Sequence, residues 1–95
     1  MYATVRRYAS DHGLVDALVQ NEGEVRDLIG GIDGFRAYYM IRTSDGGAIS
    51  VSVYEDASGA DASNAAAAGW VRENLPELAA AAPPETTAGE VAVSF

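Results

Sequence analysis

Few residues in this 95-residue chain are suited to chemistry, and the stretch SNAAAAGWVRENL, residues 63–75, holds two of them. Asn64 carries an amide that can stabilise a developing negative charge, as preorganised donors do. Trp70, the only tryptophan, offers a ring on which a planar ligand can stack. Against these stand plainer roles: a buried asparagine bonded to backbone or water, and a tryptophan packed on a helix flank. His12, the only histidine, follows Asp11 and reads either as a general base or as part of a solvated capping loop. Arg6, Arg36 and Arg42 can bind an anion or, paired with carboxylates, hold two chains together. The Asp and Glu residues show no metal-ligand spacing, so no metal site is expected. DGG at 45–47 lacks the strand-to-helix context of a phosphate loop.

The elements that must position these groups are set by periodicity. YATVRRY (2–8) has strand propensity, and Ser10 or Asp11 can cap the first helix. Apolar residues from Leu14 to Ile32 recur every three or four positions and predict one amphipathic helix, weakened at Gly23 and stopped by a left-handed Gly30–Gly31. GFRAYYMIRT and AISVSVYE form a hairpin about Asp45–Gly46. SGAD (58–61) matches a capping box and opens a second long helix, which Pro76 ends near Leu75. ELAAAA adds a short turn before Pro83–Pro84, and GEVAVSF alternates as a fourth strand. The order β-α-β-β-α-β is α+β and ferredoxin-like: a four-stranded antiparallel sheet with two helices on one face.

Alternation sorts the strand residues into two sets. Val5, Ala37, Tyr39, Ile41, Ile49, Val51, Val53, Val91 and Val93 are apolar and are expected beneath the helices. The opposite set includes Arg6, Tyr8, Arg36, Tyr38, Met40, Arg42 and Tyr54, types enriched at interfaces, and is expected to meet a second copy of the chain. The plain alternative is a single exposed sheet face. On the second helix, Ala60, Asn64, Ala67 and Ala68 fall within about 60° of Val71, on the stripe facing the sheet, with Trp70 about 100° to one side. The alanines let that helix approach the sheet and leave room beside Asn64.

Composition bounds the rest. The length is that of one small domain, residues 1–95, with much to gain from association. Cysteine is absent, which excludes disulfides and thiolate metal sites. The net charge of −8 argues against nucleic acid and anionic membranes as partners. The N-terminus does not read as a signal peptide and no stretch matches a membrane span, so a cytoplasmic location is expected.

The element order, the GFRAYYMIRTSDGGAISVSVYED hairpin and the SNAAAAGWVRENLPEL helix resemble the antibiotic biosynthesis monooxygenase-like superfamily. That resemblance implies a homodimeric α+β barrel, with a ligand cavity between sheet and helices in each chain. It implies a cofactor-independent oxygenase of an aromatic polyketide- or quinol-like substrate, with Asn64 and Trp70 catalytic and no cofactor. The cavity would be lined by Tyr39, Ala67 and Ala68. The alternative is a non-catalytic dimer of the same fold that binds a small molecule or another protein. Haem degradation, also known in the superfamily, needs a histidine ligand at this helix, where the chain has none.

Overall fold

The computed structural model describes residues 1–81 and 83–95. The elements are β1 (Tyr2–Tyr8), α1 (Leu14–Gln20), α2 (Glu22–Gly30), β2 (Phe35–Arg42), β3 (Ala48–Tyr54), α3 (Ala57–Asn74), α4 (Pro76–Ala80) and β4 (Glu85–Glu90). All strand pairs are antiparallel, in the order β2-β3-β1-β4. This is the ferredoxin-like arrangement expected from the sequence.

Local chemistry moves several boundaries. The expected first helix is two, broken at Asn21 (φ −118°, ψ 30°), whose side chain bonds the Ala17 carbonyl at 2.8 Å instead of leaving the helix unbroken. Gly31 is right-handed at φ −79°; the left-handed glycine is Gly34, at φ 83°, just before β2. Asp56, not Ser58, caps α3: its carboxylate accepts from the Ser58 hydroxyl at 2.7 Å and the Gly59 N–H at 3.3 Å. Pro76 does end α3, with Leu75 as the cap, and opens α4. Ala82, the last residue of the expected extra turn, lies outside the described residues. The fourth strand is Glu85–Glu90, mostly before the expected GEVAVSF (89–95), so Val91 and Val93 lie beyond it and not beneath the helices, Val93 being 68% exposed; the Val91 N–H reaches the Met1 carbonyl at 2.9 Å.

The largest correction concerns the two sheet faces. Along β3 burial alternates strictly, and the buried members are Ala48, Ser50, Ser52 and Tyr54. On β1 they are Thr4, Arg6 and Tyr8. These residues pack with Leu14, Val15, Val25, Ile29, Trp70 and Val71 from the helices. The helices therefore cover the face carrying arginine, hydroxyls and tyrosine. The β-branched set lies on the other face, in three cross-strand rows: Ala3–Val53–Ala37, Val5–Val51–Tyr39 and Arg7–Ile49–Ile41. Val5, Val51 and Val53 are only half-buried there, and Tyr39 is 61% exposed.

Tyrosine makes the inverted arrangement workable, because a buried ring fills space while its hydroxyl finds a backbone partner. Tyr54 is fully buried and donates to the Ile29 carbonyl at 2.7 Å, tying β3 to the end of α2. Its ring meets Phe35 edge-on at 5.7 Å. Gly59 lets α3 start directly over that ring, since a Cβ there would sit 2.8 Å from Tyr54 Cδ2.

Candidate functional site

Between sheet and helices lie two adjoining spaces. The outer one is a cavity of about 470 Å³, walled by Val15, Leu18 and Val19 of α1, Val25 and Ile29 of α2, and Phe35, Tyr38 and Met40 of β2. Glu22 and Arg26 stand at it as an exposed ion pair, 2.8 Å apart. The inner space is small, about 20 Å³, and shares Leu18, Val25, Ile29, Tyr38 and Met40 with the outer one. Its other lining residues include Arg6, Tyr8, Ser50, Ala67 and Trp70. An apolar cavity with a few convergent polar groups at one end is the usual form of a small-molecule site.

Arg6 forms that polar end. Its position on β1 puts the side chain under α3, where it is 3% exposed. The guanidinium donates to the Asn64 side-chain carbonyl, and to the Ser52 hydroxyl at 3.2 Å. Thr4 donates to the same Asn64 oxygen at 3.1 Å. The amide NH₂ of Asn64 takes no part in these bonds. Burial raises the Tyr8 and Tyr38 hydroxyls above the ordinary tyrosine range, although the Arg6 charge and hydrogen bond oppose the shift at both. Both tyrosines are therefore neutral at physiological pH.

The expected site residues divide clearly. Trp70 lines the inner space, 5% exposed, with its indole N–H donated to Glu24 at 3.2 Å. Ala67 lines it too. Asn64 lines neither space and stands behind Arg6. Tyr39 is on the opposite sheet face and Ala68 is exposed, so neither belongs to the cavity. The residues expected at a chain–chain contact are also relocated. Arg6, Tyr8 and Tyr54 are buried beneath the helices, and Tyr38 and Met40 wall the cavity. Arg36 pairs with Glu55 at 2.8 Å, next to a strand irregularity between Phe35 and Ala37 that takes it out of the alternation. Arg42 pairs with Asp16 of α1 at 3.0 Å. For Arg6, Tyr8, Tyr38, Met40 and Tyr54 the reason is common: the face the helices cover is the polar one. His12 lines neither space and is exposed, at φ 47°. No cluster of potential metal ligands occurs among the described residues.

Reasoning from sequence missed Ser50 and the outer cavity walls Val15, Leu18 and Val19. Ser50 alternates with the β-branched residues of its strand as Ser52 does, a pattern equally suited to a solvated face, so nothing local marked it as a site residue.

The fold has close counterparts among solved structures. A monooxygenase from Streptomyces coelicolor, ActVA-Orf6, solved with the ligand Nanaomycin D, matches with a TM-score of 0.69 at 18% identity, over 99% of this chain and 89% of that one. The chain has the fold of the antibiotic biosynthesis monooxygenase-like proteins. A protein of unknown function from Nitrosomonas europaea matches with a TM-score of 0.72 at 19% identity, over 99% and 91%. SnoaB from Streptomyces nogalater, a cofactor-independent oxygenase solved as an asparagine-to-alanine variant, gives 0.64 at 18%, over 99% and 95%. At these identities the likeness is one of fold. No protein-family model and no curated protein matches the sequence. Among the described residues no helix is long and apolar enough to cross a membrane.

Proposed function

We propose that the chain is a homodimeric, cofactor-independent oxygenase of an aromatic polyketide- or quinol-like substrate. The observation that carries the reading is the apolar cavity of about 470 Å³ adjoining a polar inner end at Arg6. Such oxygenation asks the protein for little beyond a shaped, dry pocket. An ionised, electron-rich ring passes one electron to oxygen. The ring radical and superoxide combine at a ring carbon that bears hydrogen, the peroxide takes up a proton, and loss of the C–H proton with the outer oxygen as water leaves a carbonyl. Trp70 would act through its ring face, because its N–H is held by Glu24. Asn64, its carbonyl fixed by Thr4 and Arg6, would offer its NH₂ to negative charge that develops during the reaction. The solved relatives that are monooxygenases or oxygenases support this reading.

The homodimer belongs to the same proposal. The three rows on the open face put valine, isoleucine and tyrosine on one surface that the protomer does not cover. A second copy laid sheet to sheet would bury it and close the barrel.

The test is oxygen uptake by purified protein, free of flavin, haem and metal, with a polycyclic hydroquinone. Turnover is expected, and Asn64→Ala should lower it by more than tenfold, beyond about 1.4 kcal/mol of barrier, while the protein stays folded. Asn64 lining neither space favours a second reading, a binding module without catalysis. Ligand binding with no oxygen uptake, unchanged by Asn64→Ala, would select it.

A further inference from the structure

Arg26, Arg36 and Arg42 each pair with a carboxylate at the surface. Arg6 does not: among the described residues its hydrogen-bonding partners are all neutral, the Asn64 amide and the Ser52, Tyr8 and Tyr38 hydroxyls, and no carboxylate pairs with it. Arg7 and Arg72 form no salt bridge among the described residues either, but both are exposed; Arg6 is the arginine that is buried as well as unpaired, in a chain of net charge −8. A buried charge is expensive unless paired, and neutral partners offset that cost only in part, so the site favours an added negative charge. Tyr8 and Tyr38 do not supply it, being held neutral by burial.

A second observation lies directly across the β1–β3 ladder, where Arg6 faces Ser50. Ser50 is 1% exposed, and its hydroxyl has no hydrogen-bond partner. Buried hydroxyls are nearly always satisfied. Both residues line the inner space, whose 20 Å³ suits one oxygen-sized group, since a site for one water needs roughly 10–15 Å³. The adjoining outer cavity has room and apolar walls for rings.

We infer that the inner space is an oxyanion subsite: the ligand is an aromatic phenolate or enolate whose single ionised oxygen enters between the Arg6 guanidinium and the Ser50 hydroxyl. A carboxylate, with two oxygens, fits the space less well. Neutral ethers or quinones of the same ring system lack the charge that Arg6 needs and leave readily. The inference rests on the cavity being a ligand site but not on its catalysing oxygenation.

The test uses 4-nitro-1-naphthol, whose phenolate is coloured, and its neutral methyl ether. Binding is read from quenching of Trp70, the only tryptophan, and ionisation of the bound dye from its absorbance. The phenolate should bind at least tenfold more tightly than the ether, and the bound dye should titrate about one pH unit or more below the free dye. Arg6→Gln should abolish that shift while the ether still binds; Arg6→Lys should restore part of it, and Ser50→Ala should weaken phenolate binding alone. Should Arg6→Gln fail to fold, the wild-type titration and Ser50→Ala still decide. Equal binding of phenolate and ether, with no shift in the dye, overturns the subsite and leaves the cavity standing. Binding of neither overturns both.

Discussion

Val51 sits at the middle of the row Val5–Val51–Tyr39, on the sheet face away from the helices. Replacing it by aspartate should therefore leave the protomer folded and break the proposed dimer. The magnitude comes from symmetry. In an isologous interface each substitution appears twice. Losing the burial of one valine costs about 1.5 kcal/mol at the low end, so two cost about 3 kcal/mol. That weakens the dimer by about a hundredfold before any charge is counted. Desolvating two carboxylates adds to it. Sedimentation velocity across a range of concentrations measures the shift, with circular dichroism to check the fold. Ser50→Asp is the internal control. It lies one residue away on β3 but faces the helices, and should lower the melting temperature sharply. A Val51→Asp protein that unfolds as Ser50→Asp does, or that remains dimeric at wild-type concentrations, would refute this reading of the sheet.

Gly59→Ala puts a methyl group 2.8 Å from the Tyr54 ring, an overpacking that costs about 1–3 kcal/mol. Thermal melts should fall by about 4–8 °C for each kcal/mol in a chain of this size. Asp56 is held below the ordinary carboxylate range, first by the Ser58 hydroxyl and then by the Gly59 N–H. A depressed carboxyl stabilises the fold above its unfolded pKa of about 3.9 and loses that contribution as pH falls through the folded value. Melting curves of wild type and Asp56→Asn should thus converge as pH drops below about 4; a gap that widens there would contradict the cap.

Element order was legible because it rests on short-range signals: period-two alternation in 48–54, the Asp45–Gly46 turn, and Pro76. Face assignment was not, because the rule that apolar residues lie inside holds only in one direction. Val5, Val51 and Val53 lie on the face the helices leave open, and a single sequence does not say which face the helices cover. The break at Asn21 escaped notice for a different reason. Leu14, Val15, Val25 and Ile29 keep one apolar stripe across it, so the pattern reads straight through a change that a side-chain hydrogen bond makes locally. At the site, Trp70 was placed correctly on α3, but Arg6 was assigned to the wrong side of its strand. Its acceptors, Asn64 and Ser52, are 58 and 46 residues away in sequence, and no local pattern connects them.

The division of the first helical stretch into α1 and α2 has a consequence for motion. Segments of seven and nine residues are too short to hold helical order alone. They owe their order to Leu14, Val15, Val25 and Ile29 reaching the core, and some of those side chains are also cavity wall. Residues 14–30 therefore form the unit of the protomer that opens at lower free energy than the sheet. Breathing of that segment would expose the cavity, and under the proposed function it is the expected route of entry for rings, tested by amide exchange with and without ligand. A ligand that fills the space replaces missing wall contacts and stiffens both short helices together. Occupancy is then written into the exchange rates of α1 and α2, while β1 and β3 keep theirs.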